Sequence, residues 1–466
     1  MMPRTRALQV VACSAAFLFL CGFVPDRGTK LDTDFIVTAA PAYEPLAALR
    51  GKERFPQGAQ LLLVHDGKTE PLAPGLAASA DANVFFDGTR VLFAGKKAAA
   101  DPWQIWEISL ADHAVRQLTH ETSDAIRPLY LPEGRFVYAQ YTPAGFALQT
   151  GLLDAATPST APAEQSLGFA NANTIPADVL ADGRILFEAG FPLGTAGTPE
   201  LFLVYSDGSG VESYRCDHGA ARWAGRQLAS GDVVFTHGAN LARFTSPLAH
   251  EERIAAPPAQ YAGAIAEMPT GSWLVSARKS AEKDYSINLW KPGSAKLETV
   301  LVESGTNLLA PVLVAPRPTP KHHPSALHPW SYANLLALDA RLSRDGVLKN
   351  APATVQLETH DTNGHITSLG TAPVESDGSF FVQVPGDRPI RFALLDGKGA
   401  VLRQEHGWFW ARAGEQRICV GCHVGPEHAA ENRVPAVLLR STTPVDLTGA
   451  PNAQEAQTAL MGGNSK

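Results

Sequence analysis

The sequence predicts an all-β protein, with a six-bladed β-propeller over residues 45–320 and a small antiparallel β domain over residues 330–440. Three observations predict it. The chain has 466 residues, more than one core of ordinary size accommodates, so two domains are expected. Its 40 Gly and 35 Pro mark a chain that turns often. Over the first two thirds, a short apolar strand, a polar turn with Gly and a second apolar strand recur at a near-constant interval.

That repeat is seen in Asn83–Phe93, around Asp87-Gly88, and in Leu129–Tyr138, around Glu133-Gly134. It returns around Asp182-Gly183, Gly231-Asp232 and Gly271-Ser272. The turn glycines at 88, 134, 183, 231 and 271 are 46, 49, 48 and 40 residues apart. A sixth unit would close near Pro311–Val314. Glycine accepts the positive φ that such turns need, and forty-odd residues hold the four strands of one blade. The repeats resemble blades of the TolB and WD40 kind. A β-sandwich array with coincidental spacing is the alternative. The recurrent Asp and Gly residues are explained by turn geometry and receive no chemical role.

Pro316–Pro324 reads as a stiff, extended linker. Its paired His322 and His323 suit a solvated connector better than a metal site. Beyond it, Thr354–Glu358 and Gly378–Val384 alternate with period two, and Ile390–Asp396 follows, which gives the small antiparallel domain. Residues 441–466 are polar and aperiodic and read as a disordered tail.

At the N-terminus, Arg4 and Arg6 precede an apolar run from Ala7 to Val24. Residues 1–25 therefore read as an export signal or a membrane anchor. Cys21 in Leu18-Phe19-Leu20-Cys21 loosely fits a lipoprotein box. The expected location is periplasmic or otherwise extracytoplasmic, with membrane contact only through this segment. Net charge is −7 without a basic block, so nucleic acid is not an expected partner.

Of five cysteines, Cys13 and Cys21 belong to the leader and Cys216 stands alone in Tyr214-Arg215-Cys216-Asp217-His218. A buried free thiol is the favoured reading of Cys216, and a reactive thiol beside Arg215 and His218 is the alternative. Cys419-Val420-Gly421-Cys422-His423 is CxxCH, the attachment pattern of c-type haem. Two thiols at this spacing reach the two vinyl groups of one porphyrin, and the adjacent imidazole becomes the proximal iron ligand. This gives an irregular c-type haem segment with one covalent haem c on Cys419, Cys422 and His423. A disulfide or redox pair and half of a zinc site are the competing readings. His406 and His428 are the candidate distal ligands, and an open iron is the other option. Trp408-Phe409-Trp410 would screen an apolar porphyrin from water, or would serve as ordinary core.

The block from Asp377-Gly378-Ser379-Phe380 through Val384-Pro385, Arg388-Pro389, Gly407-Trp408-Phe409-Trp410, Gly414-Glu415-Gln416-Arg417 and the CxxCH motif to Glu431-Asn432-Arg433-Val434-Pro435 resembles the hydrazine synthase alpha subunit family. The resemblance implies a propeller followed by a middle domain with one covalent haem. In that family the middle-domain iron is understood to be held by a tyrosine just beyond the motif, which frees the motif histidine for zinc. Here no tyrosine follows Tyr332, and Glu427 stands four residues beyond His423. His423 is therefore read as the iron ligand, and hydrazine synthesis is not implied.

Two functions follow for a haem protein: electron transfer with a redox partner protein, the propeller serving as docking scaffold, or an oxidoreductase acting on a small nitrogen or oxygen compound at an open iron. A propeller binding module without haem is the third reading. No acid, base or nucleophile constellation stands out elsewhere.

Overall fold

A computed structural model describes residues 31–154, 165–168, 173–190, 198–215, 221–247, 249–343, 347–361, 364–405, 407–421 and 432–449. Among them, residues 35–313 form six four-stranded antiparallel sheets. The second to sixth sheets each take four consecutive strands, beginning at Ala78–Val84, Ala125–Leu131, Thr174–Val179, Arg222–Gln227 and Gln260–Glu267. In the second to fifth, the first strand contacts the first strand of the next sheet, and in the sixth it contacts Asn307–Leu313. The first sheet closes the ring with both halves of the chain: Phe35–Ala40, Gln60–His65 and Lys68–Pro71 are joined by Asn307–Leu313. The result is a propeller, as expected for closed radial sheets.

Local chemistry explains the repeat. The five turn glycines all have positive φ, from +68° at Gly134 to +92° at Gly183 and Gly231. Every innermost strand also carries a register shift. At that shift φ is positive for Asp81, Arg127, Ala224, Gly263 and Ala310. The fourth sheet has Pro176 there, whose ring holds φ negative, and its shift skips only Ala177. These bulges turn the inner strands about the axis.

The connection between the first two strands runs from Pro41 to Ala59 and fills one mouth of the axial channel. Ala48, Leu49 and Phe55 pack there against Ala80, Ile126, Ile175, Trp223, Ala262 and Leu309, one residue from each sheet. Beneath them lies a buried polar layer. Arg54 Nη1 donates to Asp81 Oδ1 at 2.8 Å, Arg127 Nε stands 3.8 Å from the same oxygen, and Glu188 accepts the Ala224 N–H at 2.6 Å.

The proline-rich linker is not a free connector. Arg317 N–H donates to Phe86 O and Lys321 N–H to Ala181 O, at 2.8 and 3.0 Å. A Cβ on Gly183 would run into the Lys321 carbonyl, so this turn glycine serves both the hairpin and the linker. His323 stacks on Tyr205 with ring centroids 4.0 Å apart, and His322 Nδ1 lies 3.3 Å from Glu133. The linker thus crosses the turns of the second, third and fourth sheets.

The second domain is a sandwich of two four-stranded sheets. One orders Ile366–Pro373, Thr354–His360, Ile390–Leu395 and Val401–Gln404, all antiparallel. The other orders Gln416–Cys419, Tyr332–Ala337, Phe380–Pro385 and Val445–Asp446. Its central pair is antiparallel, and its two short edge strands join in parallel. Leu335, Val355, Leu357, Val382 and Leu394 fill the space between the sheets. The expected disordered tail is corrected at its start. Val445–Asp446 joins a sheet and Leu447 is buried in its core, while residues 450–466 lie outside the described residues. So do residues 1–30, which include the expected export signal or membrane anchor over residues 1–25; among the described residues no helix is long and apolar enough to cross a membrane.

Candidate functional site

Cys419 ends the edge strand Gln416–Cys419, where it stands opposite Ala337. Leu338 N–H donates to its carbonyl at 2.9 Å, and Asp339 N–H to that of Val420 at 3.2 Å. Strand alternation sets Glu415, Arg417 and Cys419 on one face, and Gln416 and Ile418 on the other. Ile418 is 66% exposed, whereas Arg417 and Cys419 are half-buried. The Cys419 thiol is unbridged, and burial pushes its pKa up, against the opposing effect of Arg417.

The approach to this thiol is pinned to the propeller. Trp410 is buried against Leu148, Phe187 and Val204, and its Nε1–H donates to Gly208 O at 3.2 Å. Arg412 Nη1 donates to Ser166 O at 2.8 Å. Glu415 accepts from Gly210 N–H at 3.1 Å and from Arg412 N–H at 2.7 Å. Arg417 Nε then donates to Glu415 Oε1 at 2.8 Å, and its guanidinium lies 5.8 Å from the Phe409 ring centroid. One chain of charge-assisted hydrogen bonds thus runs from the third and fourth propeller sheets to the strand that ends at Cys419.

The return from the motif is pinned as firmly. Asp377 Oδ2 accepts from Arg433 Nη1 at 2.7 Å and from Ala436 N–H at 2.8 Å, while its Oδ1 accepts from Ser379 N–H at 2.9 Å. Ser379 Oγ in turn accepts Val437 N–H at 3.1 Å. These bonds hold the Asp377 carboxyl below its usual range, although burial acts against them. The turn that bears Asp377 also touches the entry side, because a Cβ on Gly378 would strike the Asp339 carboxylate. Asp377 and its neighbour Gly378 thus link Arg433, Ala436 and Asp339, which flank the motif on its two sides.

Cys422, His423, His406 and His428 lie outside the described residues, so only Cys419 of the predicted site is placed. His360 and His365 do not join it: His365 pairs with Asp361 in an exposed turn, and His360 packs edge-on against Trp408 at 4.5 Å. The three bulky residues divide their roles. Trp408 lies under Arg391, Phe409 packs on Phe392, and Trp410 enters the propeller as core. Glu405, which sequence reasoning passed over, sits where burial raises its carboxyl to about 7 against Phe392 N–H, Arg417 and Arg391. Cys216 falls outside the described residues. Among the described residues, no three His, Cys, Asp or Glu side chains converge as a metal site.

Residues 339–424 match the family described as the hydrazine synthase alpha subunit middle domain. Over those residues the chain is similar to that middle domain. The middle-domain match begins at Asp339, beside the turn that holds the loop, and spans the whole CxxCH motif. Hydrazine synthase from Kuenenia stuttgartiensis shares the fold with a TM-score of 0.74 over 88% of this chain and 71% of that one, at 16% identity. TolB from Acinetobacter baumannii matches at a TM-score of 0.44 and 11% identity over 62% and 67% of the two chains. No curated protein sequence matches the chain.

Cys419 offers a free thiol, and Arg417, on the same face of the strand, has its guanidinium 5.8 Å from the Phe409 ring centroid.

Proposed function

We propose that the protein is an exported monohaem c-type cytochrome that passes electrons to or from a redox partner protein, with the propeller as docking scaffold. Cys419 and Cys422 would hold the porphyrin as thioethers, and His423 would be the proximal ligand. The haem supplies a one-electron couple when bound. The observation that carries the reading is the free, half-buried Cys419 thiol at the mouth of a loop pinned on both sides.

The residues around it have defined tasks in this account. Glu415 and Arg412 fix the strand to the propeller, and Asp377 with Arg433 fixes the return. Rigid supports of this kind keep a redox centre in one geometry between two oxidation states. The Arg4/Arg6 leader supports delivery outside the cytoplasm, with periplasmic residence, as a soluble or an anchored protein.

The test is the visible spectrum of protein produced with haem-maturation machinery, reduced, with and without carbon monoxide. A low-spin spectrum unmoved by the gas is expected for electron transfer. A high-spin haem that binds the gas would replace it with the open-iron oxidoreductase, and no haem at all would leave a propeller binding module.

A further inference from the structure

The Pro41–Ala59 plug leaves a cavity of about 100 Å³ beside it, between the plug and the second and third propeller sheets. Its walls are aromatic. Trp103 and Phe146 are buried, and Tyr141 meets Phe146 edge-on with ring centroids 5.2 Å apart. Concave apolar walls with a few convergent polar groups are the usual form of a small-molecule site.

Two of the charged groups that line it are already engaged. Arg54 gives both Nη atoms to Asp81. Glu53 accepts Phe55 N–H at 3.0 Å on Oε1 and the Trp103 indole N–H at 3.1 Å on Oε2, with Lys96 Nζ 3.8 Å away. Three other lining groups keep capacity. Asp124 Oδ1 accepts Trp103 N–H at 2.9 Å, but among the described residues its Oδ2 has no partner and its carboxylate no ion pair. The hydroxyl of the half-buried Tyr141 has no partner among the described residues, and the exposed Lys52 forms no ion pair among them. A carboxylate beside aromatic faces suits a primary ammonium, and the Lys52 ammonium suits a carboxylate. A ligand with one charge answers only one of Asp124 and Lys52. Both line one cavity of about 100 Å³, so a single small zwitterion reaches both.

We propose that this cavity is a binding site for a free α-amino acid with a short side chain. Its ammonium would sit on Asp124 Oδ2 and the Tyr141 hydroxyl, its carboxylate toward Lys52, and its side chain against Trp103 and Phe146. The site is independent of the haem assignment.

The test is a calorimetric titration of the full chain with alanine, ethylamine and propionate at neutral pH and constant ionic strength. Saturable uptake of alanine is expected in the wild type, with ethylamine weaker and propionate weaker still. Asp124→Asn keeps an acceptor for Trp103 N–H and should weaken alanine by about tenfold or more, the loss of one charge-assisted hydrogen bond. Lys52→Gln should weaken alanine and leave ethylamine unchanged. Lys68→Gln, on the outermost strand of the first sheet, should change neither. Should Asp124→Asn fail to fold, Tyr141→Phe, which keeps the ring and loses the hydroxyl, is expected to bind alanine more weakly than wild type. Absence of saturable alanine uptake in the wild type, ethylamine bound as tightly as alanine, or wild-type affinity in the surviving Asp124 or Tyr141 variant overturns the proposal.

Discussion

The indole Nε1–H of Trp410 donates to the carbonyl of Gly208 at 3.2 Å, across 202 positions of sequence and between two domains. With the Trp410 ring buried among Leu148, Phe187 and Val204, this bond makes the second domain an extension of the third and fourth propeller sheets. Trp410→Ala should cost about 3–5 kcal/mol and separate the unfolding of the two domains. Trp410→Phe keeps most of the contact and should cost about 1 kcal/mol for the lost hydrogen bond, plus the lost area. Denaturant unfolding followed by tryptophan fluorescence and by far-ultraviolet dichroism reads both.

Gly183 and Gly231 share a φ of +92° but not their surroundings. A Cβ on Gly231 meets nothing within 4 Å, whereas one on Gly183 meets the linker at Lys321. Gly231→Ala should therefore cost only the left-handed backbone penalty of about 1–2 kcal/mol. Gly183→Ala should cost more and expose Pro316–Pro324 to proteolysis. Equal cost and equal cleavage would show that the linker does not depend on this turn.

Burial raises the Glu405 carboxyl to about 7 from an ordinary 4.5. The folded state then holds the proton more tightly than the unfolded chain. Its stabilising share is complete below about pH 4.5 and is lost as pH rises through about 7. Glu405→Gln should flatten stability between those limits. Denaturation midpoints across that range read it, and an unchanged slope in the variant would contradict the assignment.

Asp377 behaves in the opposite sense. Its folded carboxyl lies below the ordinary 3.8, so its contribution is present above that value and is lost as pH falls through the folded value. Asp377→Asn cannot accept at both oxygens from Ser379, Arg433 and Ala436 N–H. It should lose about 1–3 kcal/mol near neutral pH, with less loss in acid. Backbone amide exchange should rise first at Ala436 and Val437, whose N–H groups hang from this latch.

The propeller was legible because its signal is local: a turn glycine and its flanking apolar runs lie within ten residues, as around Gly88 and Gly134. The sandwich strands Thr354–His360 and Phe380–Pro385 were legible from alternation. Gln416–Cys419 and Val445–Asp446 were not, because strands of four and two residues exist only through their parallel neighbours. The linker gave its extended form away through its prolines, but its docking depends on carbonyls of distant turns. For the site, CxxCH named Cys419. Glu415 and Arg417 stood out only as parts of the family-like block, and their network with Arg412 was not legible, since its partners Ser166 and Gly210 lie more than two hundred positions away. Asp377 and Arg433 stood out only as parts of the family-like block, and the structure joins them.

The most direct measurement is the intact mass and pyridine haemochrome of protein produced with haem-maturation machinery, beside Cys419→Ser and Cys422→Ser. The account predicts one covalent haem per chain in the wild type, and no haem held by two thioethers in either variant. A wild-type mass without haem, or a haem that survives both substitutions together, would contradict it.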